Sequence, residues 1–240
     1  MTTFRELGLD FPLFAALIRE ASHYVGQATC TLCRLPKLHC FTLGVGADVI
    51  LGCPTCSTLN ALDAADRKHG VCSHCASAIH FPDAEEQVYT CSDCLRAGKA
   101  AITHDTELGM VRWEDAQRGM THGVPGTAHP GVPSSVNEDG WHQAHVPVPA
   151  LMQLVHTPNF VSWQGEQWLF CHQKPMIYLG AWKQAAFQAA APHGNGKALF
   201  LSVLDERNEE LWTYVDRSQI GVYVFQCQEC ARLRAYHDAS

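Results

Sequence analysis

The chain has 240 residues, 47% of them apolar and 17% charged, with a formal net charge of −7. That apolar share supports a packed core and the charged share is too low for a disordered chain, while the acidic balance argues against a general nucleic-acid binder, which carries a basic face. No run is long and apolar enough to cross a bilayer. The opening Met1-Thr2-Thr3-Phe4-Arg5-Glu6 lacks the charged-then-apolar order of an export signal, so the cytoplasm is the expected compartment.

In chain order, residues 1–29 read as a lead-in, with a periodic apolar stretch from Phe11 to Ala21 that predicts a helix packing Phe14, Leu17 and Ile18 on a core. Residues 30–100 form a cysteine-dense region with short strands at Leu38–Leu43 and Val49–Leu51. Residues 101–148 read as an irregular connection with one short helix over 111–118, followed by a Gly-, Pro- and His-rich stretch. Its histidines, His122, His129, His142 and His145, lack ligand spacing and read as solvated loop residues. Residues 149–240 form a mixed domain. It is predicted to hold a helix from Pro149 to His156, strands at Phe160–Cys171 and Met176–Leu179, and helices at Trp182–Ala191 and Ala198–Val215, the last broken near Asp205. A strand at Gly221–Phe225 then leads into a final cysteine pair. The fold class is therefore α+β, a zinc-ribbon region followed by a mixed α/β domain.

Twelve cysteines in a reducing compartment favour metal binding over disulfides. Eight of them form the pairs Cys30/Cys33, Cys53/Cys56, Cys72/Cys75 and Cys91/Cys94. Two intervening residues let a tight turn aim both sulfurs at one ion, and tetrahedral Zn²⁺ needs two such turns. Four pairs thus predict two closed, structural Cys₄ zinc sites. Sequential pairing would join the first pair to the second and the third to the fourth. Nesting, the preferred arrangement, puts the second and third inside a site made by the first and fourth, because Cys53 to Cys75 has the length of a self-contained ribbon. Cys40 and His39 are not needed as ligands, and His74 and His80 read as surface groups. The distant pair Cys227/Cys230 has Cys171 as its best partner and His172 as a candidate fourth ligand, although adjacent residues do not readily bind one ion. A third metal site and a reduced, metal-free cluster are both open; only an open coordination position there would admit metal catalysis.

The run Thr157-Pro158-Asn159-Phe160-Val161-Ser162-Trp163-Gln164-Gly165-Glu166-Gln167-Trp168, then Cys171-His172, Tyr178-Leu179-Gly180 and the ending Tyr223-Val224-Phe225-Gln226-Cys227-Gln228-Glu229-Cys230, resembles the CbrC-like family. Cys30/Cys33 and Cys91-Ser92-Asp93-Cys94 are similar to that family's N-terminal pairs, and the stretch from about Val45 to Pro82 looks inserted. The family's order near position 171 is His then Cys, reversed here. The resemblance implies a role in tolerance to a bacteriocin or related toxin, and the acidic charge suits binding of a basic toxin domain. Alternatives are a zinc ribbon associated with nucleic acid, disfavoured by charge, and a metalloenzyme using the C-terminal cluster.

Other chemistry is weaker. Trp163 and Trp168 read as core residues or as a recognition surface. Asp105, Glu107, Glu114 and Asp115 are expected to cap and solvate a short helix, and Asp205, Glu206, Glu209 and Glu210 to face solvent. The sequence carries no phosphate-binding glycine loop, nucleophile elbow or His-Glu-x-x-His helix.

Overall fold

The computed structural model describes residues 2–43, 48–63, 70–82, 87–102, 111, 113–121, 124–125, 129–217 and 219–239. His122, Asp105, Glu107 and the glycines at 123 and 126 lie outside them. Among the described residues no helix is long and apolar enough to cross a membrane.

The expected helix from Phe11 to Ala21 is not formed; only Ile18–Glu20 makes a 3₁₀ turn. Backbone groups that a helix would use internally are taken by other segments. The Ala15 amide donates to the Tyr178 carbonyl at 2.9 Å, the Leu13 carbonyl accepts from the Tyr178 amide at 2.8 Å, and the Ile18 amide donates to the Thr2 carbonyl at 3.0 Å. Phe11, Leu13, Phe14 and Ala16 are all buried, a spacing that suits a docked, irregular chain better than one helical face. Phe4 anchors this segment, its ring meeting those of Phe11, Phe14, Tyr24 and Phe41 at 5.1–5.6 Å.

Strand β1 (Tyr24–Ala28) pairs antiparallel with β2 (Leu38–Leu43). The chain then makes two small hairpins, β3 (Asp48–Gly52) with β4 (Leu59–Asp63), and β5 (Gly70–Val71) with β6 (Ala78–Ile79). Strand β7 (Val88–Cys91) returns to pair with β2, placing Leu43 opposite Val88. Chain exit and re-entry are thus neighbours in one ladder, and the two hairpins are pinched off as an insertion. Helix α1 (Ser92–Arg96) follows directly, and β8 (Ala100–Ala101) pairs with β3, tying the insertion back to its frame.

Helix α2 (Trp113–Gln117) falls where expected. The stretch read as irregular contains a three-stranded sheet of β9 (Val124–Pro125), β10 (Ser134–Val136) and β11 (Trp141–Ala144). Its tight turn is braced by Asn137, whose Oδ1 accepts from the amides of Asp139 and Trp141 at 3.0 and 2.9 Å. Helix α3 (Val148–Val155) buries Leu151, Leu154 and Val155, as its periodicity predicts.

The C-terminal part holds a hairpin, β12 (Phe170–Cys171) and β13 (Lys174–Pro175), then β14 (Ile177–Ala181), α4 (Gln184–Ala190) and α5 (Gly196–Val203). Strands β15 (Ile220–Gln226) and β16 (Leu233–Ala239) complete an antiparallel β14-β15-β16 sheet. Alternation along β15 sets the two faces. Val222 and Val224 pack with Phe187 and Phe200 of the helix pair. Tyr223 and Phe225 face the larger core, with Phe160, Trp168 and Tyr178. That larger core also includes Phe4, Phe41, Leu51 and Leu95, so one apolar cluster runs from the first strands to the last sheet.

The strand expected from Phe160 to Cys171 reduces to its last two residues. Upstream, side chains of β16 hold the backbone in place of a ladder. Asp238 Oδ2 accepts from the Trp163 and Gln164 amides at 2.8 and 3.2 Å, and the Tyr236 hydroxyl accepts from the Gln167 amide at 3.1 Å. The two tryptophans separate: Trp168 is 1% exposed and its indole N–H donates to the Met176 carbonyl, whereas Trp163 is 57% exposed. Asp205 is exposed, as expected, but lies past the end of a helix rather than on its face. It follows α5, and its carboxylate accepts from Nε and Nη2 of the buried Arg234 guanidinium, whose Nη1 donates to the Phe170 carbonyl at 2.8 Å. His129 is buried rather than solvated, packed edge-on against Phe170, and burial with Arg234 nearby pushes its pKa down to about 3.

Candidate metal centres

Eleven of the twelve cysteines and one histidine collect into three tetrads: Cys30, Cys33, Cys91 and Cys94; Cys53, Cys56, Cys72 and Cys75; and Cys171, His172, Cys227 and Cys230. Within each, the ligand atoms all lie within 4.8 Å of one another. Zinc–sulfur bonds of ~2.3 Å in a tetrahedron give sulfur–sulfur edges of about 3.8 Å. Among the edges, Cys30–Cys94 and Cys33–Cys91 are 3.8 and 3.9 Å, Cys56–Cys72 and Cys53–Cys75 are 3.5 and 3.6 Å, and Cys171–Cys230 is 4.0 Å. A disulfide would bring two sulfurs to ~2.05 Å, and all twelve cysteines are free. The grouping is the nested one.

Four of the pairs are copies of one local structure. After Cys30-x-x-Cys33, Arg34 has φ +62°; Ser57, Ala76 and Ala231 occupy the same place after their pairs with φ +62°, +58° and +56°. Each of these residues returns its amide to the carbonyl of the first cysteine, at 2.8 Å for Arg34 and Ser57, 3.0 Å for Ala76 and 3.2 Å for Ala231. The left-handed residue turns the chain sharply, so amides inside the turn point at sulfur. Cys53 Sγ accepts from the Thr55 amide, Cys72 Sγ from His74 and Cys227 Sγ from Glu229, each at 3.4 Å. The Cys91/Cys94 pair is built differently. Cys91 precedes α1 and Cys94 lies in its first turn, so the helix start replaces the second turn, and the Cys91 amide donates to Cys30 Sγ at 3.4 Å.

Asn60, which the cysteine spacing gives no reason to single out, braces the second tetrad. Its amide group donates to Cys72 Sγ at 3.7 Å while its Oδ1 accepts from the Ser73 amide and hydroxyl, both at 2.9 Å. The hydroxyls of Thr58 and Ser77 lie 3.3 Å from Cys56 and Cys75, in equivalent places.

His172 joins the third tetrad although it adjoins Cys171. The β12–β13 turn makes this feasible: His172 and Gln173 both have positive φ, +53° and +56°, as a two-residue hairpin demands. This twist turns both side chains to one side, with His172 Nδ1 3.2 Å from Cys171 Sγ and 3.4 Å from Cys227 Sγ. Cys40 is outside every tetrad; burial first, then the neighbouring Cys30 and Cys91, pushes its thiol up to about 12. His74 and His80 are exposed and outside the tetrads, and His39 pairs with the Tyr24 hydroxyl.

The electrostatics of each tetrad call for a cation. Amides of Cys75 and His74 lower the Cys72 thiol to about 6, and amides of Cys230 and Glu229 overcome burial to lower Cys227 to about 6. Their neighbours move the other way: burial and then the Cys30 charge raise Cys94, and burial with Cys227 and Cys230 raises Cys171 to about 12. The four sulfurs of the first two tetrads, and the three of the third, are too close to ionise together without a positive charge between them. The donor set therefore fits a soft or borderline divalent ion, with Zn²⁺ the natural choice for thiolate and imidazole in a tetrahedron.

A family model matches residues 60–239, three-quarters of the chain. The chain belongs to the uncharacterised protein family UPF0167. The UPF0167 match begins inside the second tetrad's ribbon, takes in Cys72/Cys75 and Cys91/Cys94, and covers the whole third tetrad. No curated protein and no solved structure matches the chain significantly.

Proposed function

We propose that this protein is a zinc-stabilised binding protein: Zn²⁺ fills all three tetrads, and the work is done by a surface rather than by a reacting metal. The observation that carries this reading is that four cysteine or histidine ligand atoms gather within 4.8 Å of one another in each of three separate tetrads. Each tetrad supplies four protein ligands, leaving no open position for water or substrate, which supports a structural role over metal catalysis. In that role the metal supplies a cross-link and charge compensation. The small hairpins, with strands as short as two residues, gain a fixed geometry they could not hold alone.

The resemblance to CbrC-like proteins supports tolerance to a bacteriocin or related toxin as the biological setting. The net charge of −7 supports a basic toxin domain as the partner and opposes nucleic acid. Trp163 and Val161, each 57% exposed on the loop that carries the resemblance, are the aromatic and apolar anchors such a contact would use. Calorimetry of the zinc-loaded protein against a basic toxin domain encoded beside its gene tests this. Micromolar or tighter binding that weakens at least about tenfold in Trp163→Ala is expected. Absence of heat at micromolar concentration overturns the toxin reading.

A further inference from the structure

The three tetrads are not equally protected. In the first, Cys30, Cys91 and Cys94 are buried; in the second, Cys53 and Cys72 are; in the third only Cys227 is, while Cys230 and His172 are exposed. The third also borders a cleft of about 600 Å³ lined by Pro147, Pro149, Gln153, Lys174 and Gln228 beside His172. Among the described residues, amide donation in this tetrad goes to Cys227 Sγ, from Glu229 and Cys230, while Cys230 Sγ meets Cys171 Sγ at 4.0 Å. Amide hydrogen bonds and burial both shield a metal-bound thiolate from electrophiles, and Cys230 has neither.

We infer that the third centre is an oxidant-responsive modification site, with Cys230 the attacking sulfur and Cys227 the resolving one. This rests on the reading that a metal fills that tetrad. The oxidant class is a hydroperoxide. The Cys230 thiolate attacks one peroxide oxygen, forming a sulfenic acid and expelling hydroxide. The Cys227 thiolate then displaces the second hydroxide, closing a disulfide across the Cys-x-x-Cys turn. Two electrons pass from the sulfurs to the O–O bond, and two protons from solvent convert both hydroxides to water. Cys171 and His172 alone cannot hold the ion, which leaves for solvent. The turn at His172 and Gln173, held with two non-glycine residues at positive φ, then loses the contact that fixes it. The change is local to the hairpin at 170–175 and the cleft beside it.

The test begins by counting zinc in the reduced, full-length protein. Three ions are expected; two ions, with Cys171, Cys227 and Cys230 freely alkylated, would overturn the metal reading and this inference with it. The three-ion protein is then treated with hydrogen peroxide and a zinc-sensitive chromophore. One equivalent should be released at least about tenfold faster than the other two, with a Cys227–Cys230 disulfide in the peptide map, reversed by dithiol and zinc. Cys230→Ser should abolish the fast phase and leave two ions in place. Release of all three ions at one rate, or a first disulfide in another tetrad, overturns the inference while leaving the metal reading intact.

Discussion

The inner ribbon is docked on its frame by two glycines, and one substitution tests that junction. Gly52 closes β3 just before Cys53, and Gly98 follows α1 just after Cys94. A Cβ at Gly52 would lie 2.4 Å from the Gly98 carbonyl oxygen and 3.2 Å from Lys99 Cα. The obstacle is backbone, so no side chain can swing away. Gly52→Ala must push the ribbon from the frame and stretch the hydrogen bond from the Gly52 amide to the Lys99 carbonyl, now 2.9 Å. Overpacking costs about 1–3 kcal/mol and a lost backbone bond about 1 kcal/mol, giving about 2–4 kcal/mol. For a chain of this size that lowers the unfolding midpoint by about 5–15 °C. Gly98→Ala is the control: φ there is +65° but its Cβ would meet nothing within 4 Å. It carries only the left-handed backbone cost of about 1–2 kcal/mol. Thermal unfolding of zinc-loaded wild type and both variants, with metal content measured alongside, should rank Gly52→Ala as the more damaging. A Gly52→Ala midpoint within a degree of wild type would refute the close docking.

Nesting predicts that Cys53→Ser loses one ion and makes Cys56, Cys72 and Cys75 reactive to alkylation; new reactivity at Cys30 and Cys33 instead would mean sequential pairing. Arg234 is 4% exposed and hydrogen-bonded to Asp205 and to the Phe170 carbonyl, so Arg234→Ala should cost about 2–3 kcal/mol by urea unfolding, and a loss under about 1 kcal/mol would contradict those contacts. His129 has its pKa lowered from 6.5 to about 3, so the unfolded chain takes up its proton first and stability falls as pH drops below 6.5. Between pH 6.5 and 5.5 wild type should lose about 1 kcal/mol more than His129→Leu, a comparison that cancels the acid sensitivity common to the thiolate sites, and equal losses would place the imidazole in solvent. Trp163→Ala, at an exposed position, should move stability by no more than about 0.5 kcal/mol, and a larger loss would mean the ring is structural.

The cysteine frame of the candidate metal centres is legible in the sequence because its signal is local. A Cys-x-x-Cys turn needs only its own residues, and four pairs between residues 30 and 94 leave few ways to combine. His172 is harder to assign because nothing about a His-Gln turn announces positive φ at both positions; that follows from the pairing of β12 with β13. The helix expected over Phe11–Ala21 fails because apolar spacing cannot reveal that Tyr178, far along the chain, captures the backbone at Leu13 and Ala15. The aromatic run around Trp163 reads as a strand for a similar reason: Asp238 and Tyr236 replace the ladder with side-chain acceptors. His129 looks like a loop histidine until Phe170 and Arg234 are folded over it. In each case a local pattern is overridden by a partner distant in sequence.

Native mass spectrometry of the reduced protein, purified without added metal, weighs the central claim most directly. Three zinc ions per chain are predicted, with two retained and one lost when Cys227 and Cys230 are both replaced by serine. A folded, compact chain that carries no metal would contradict the account.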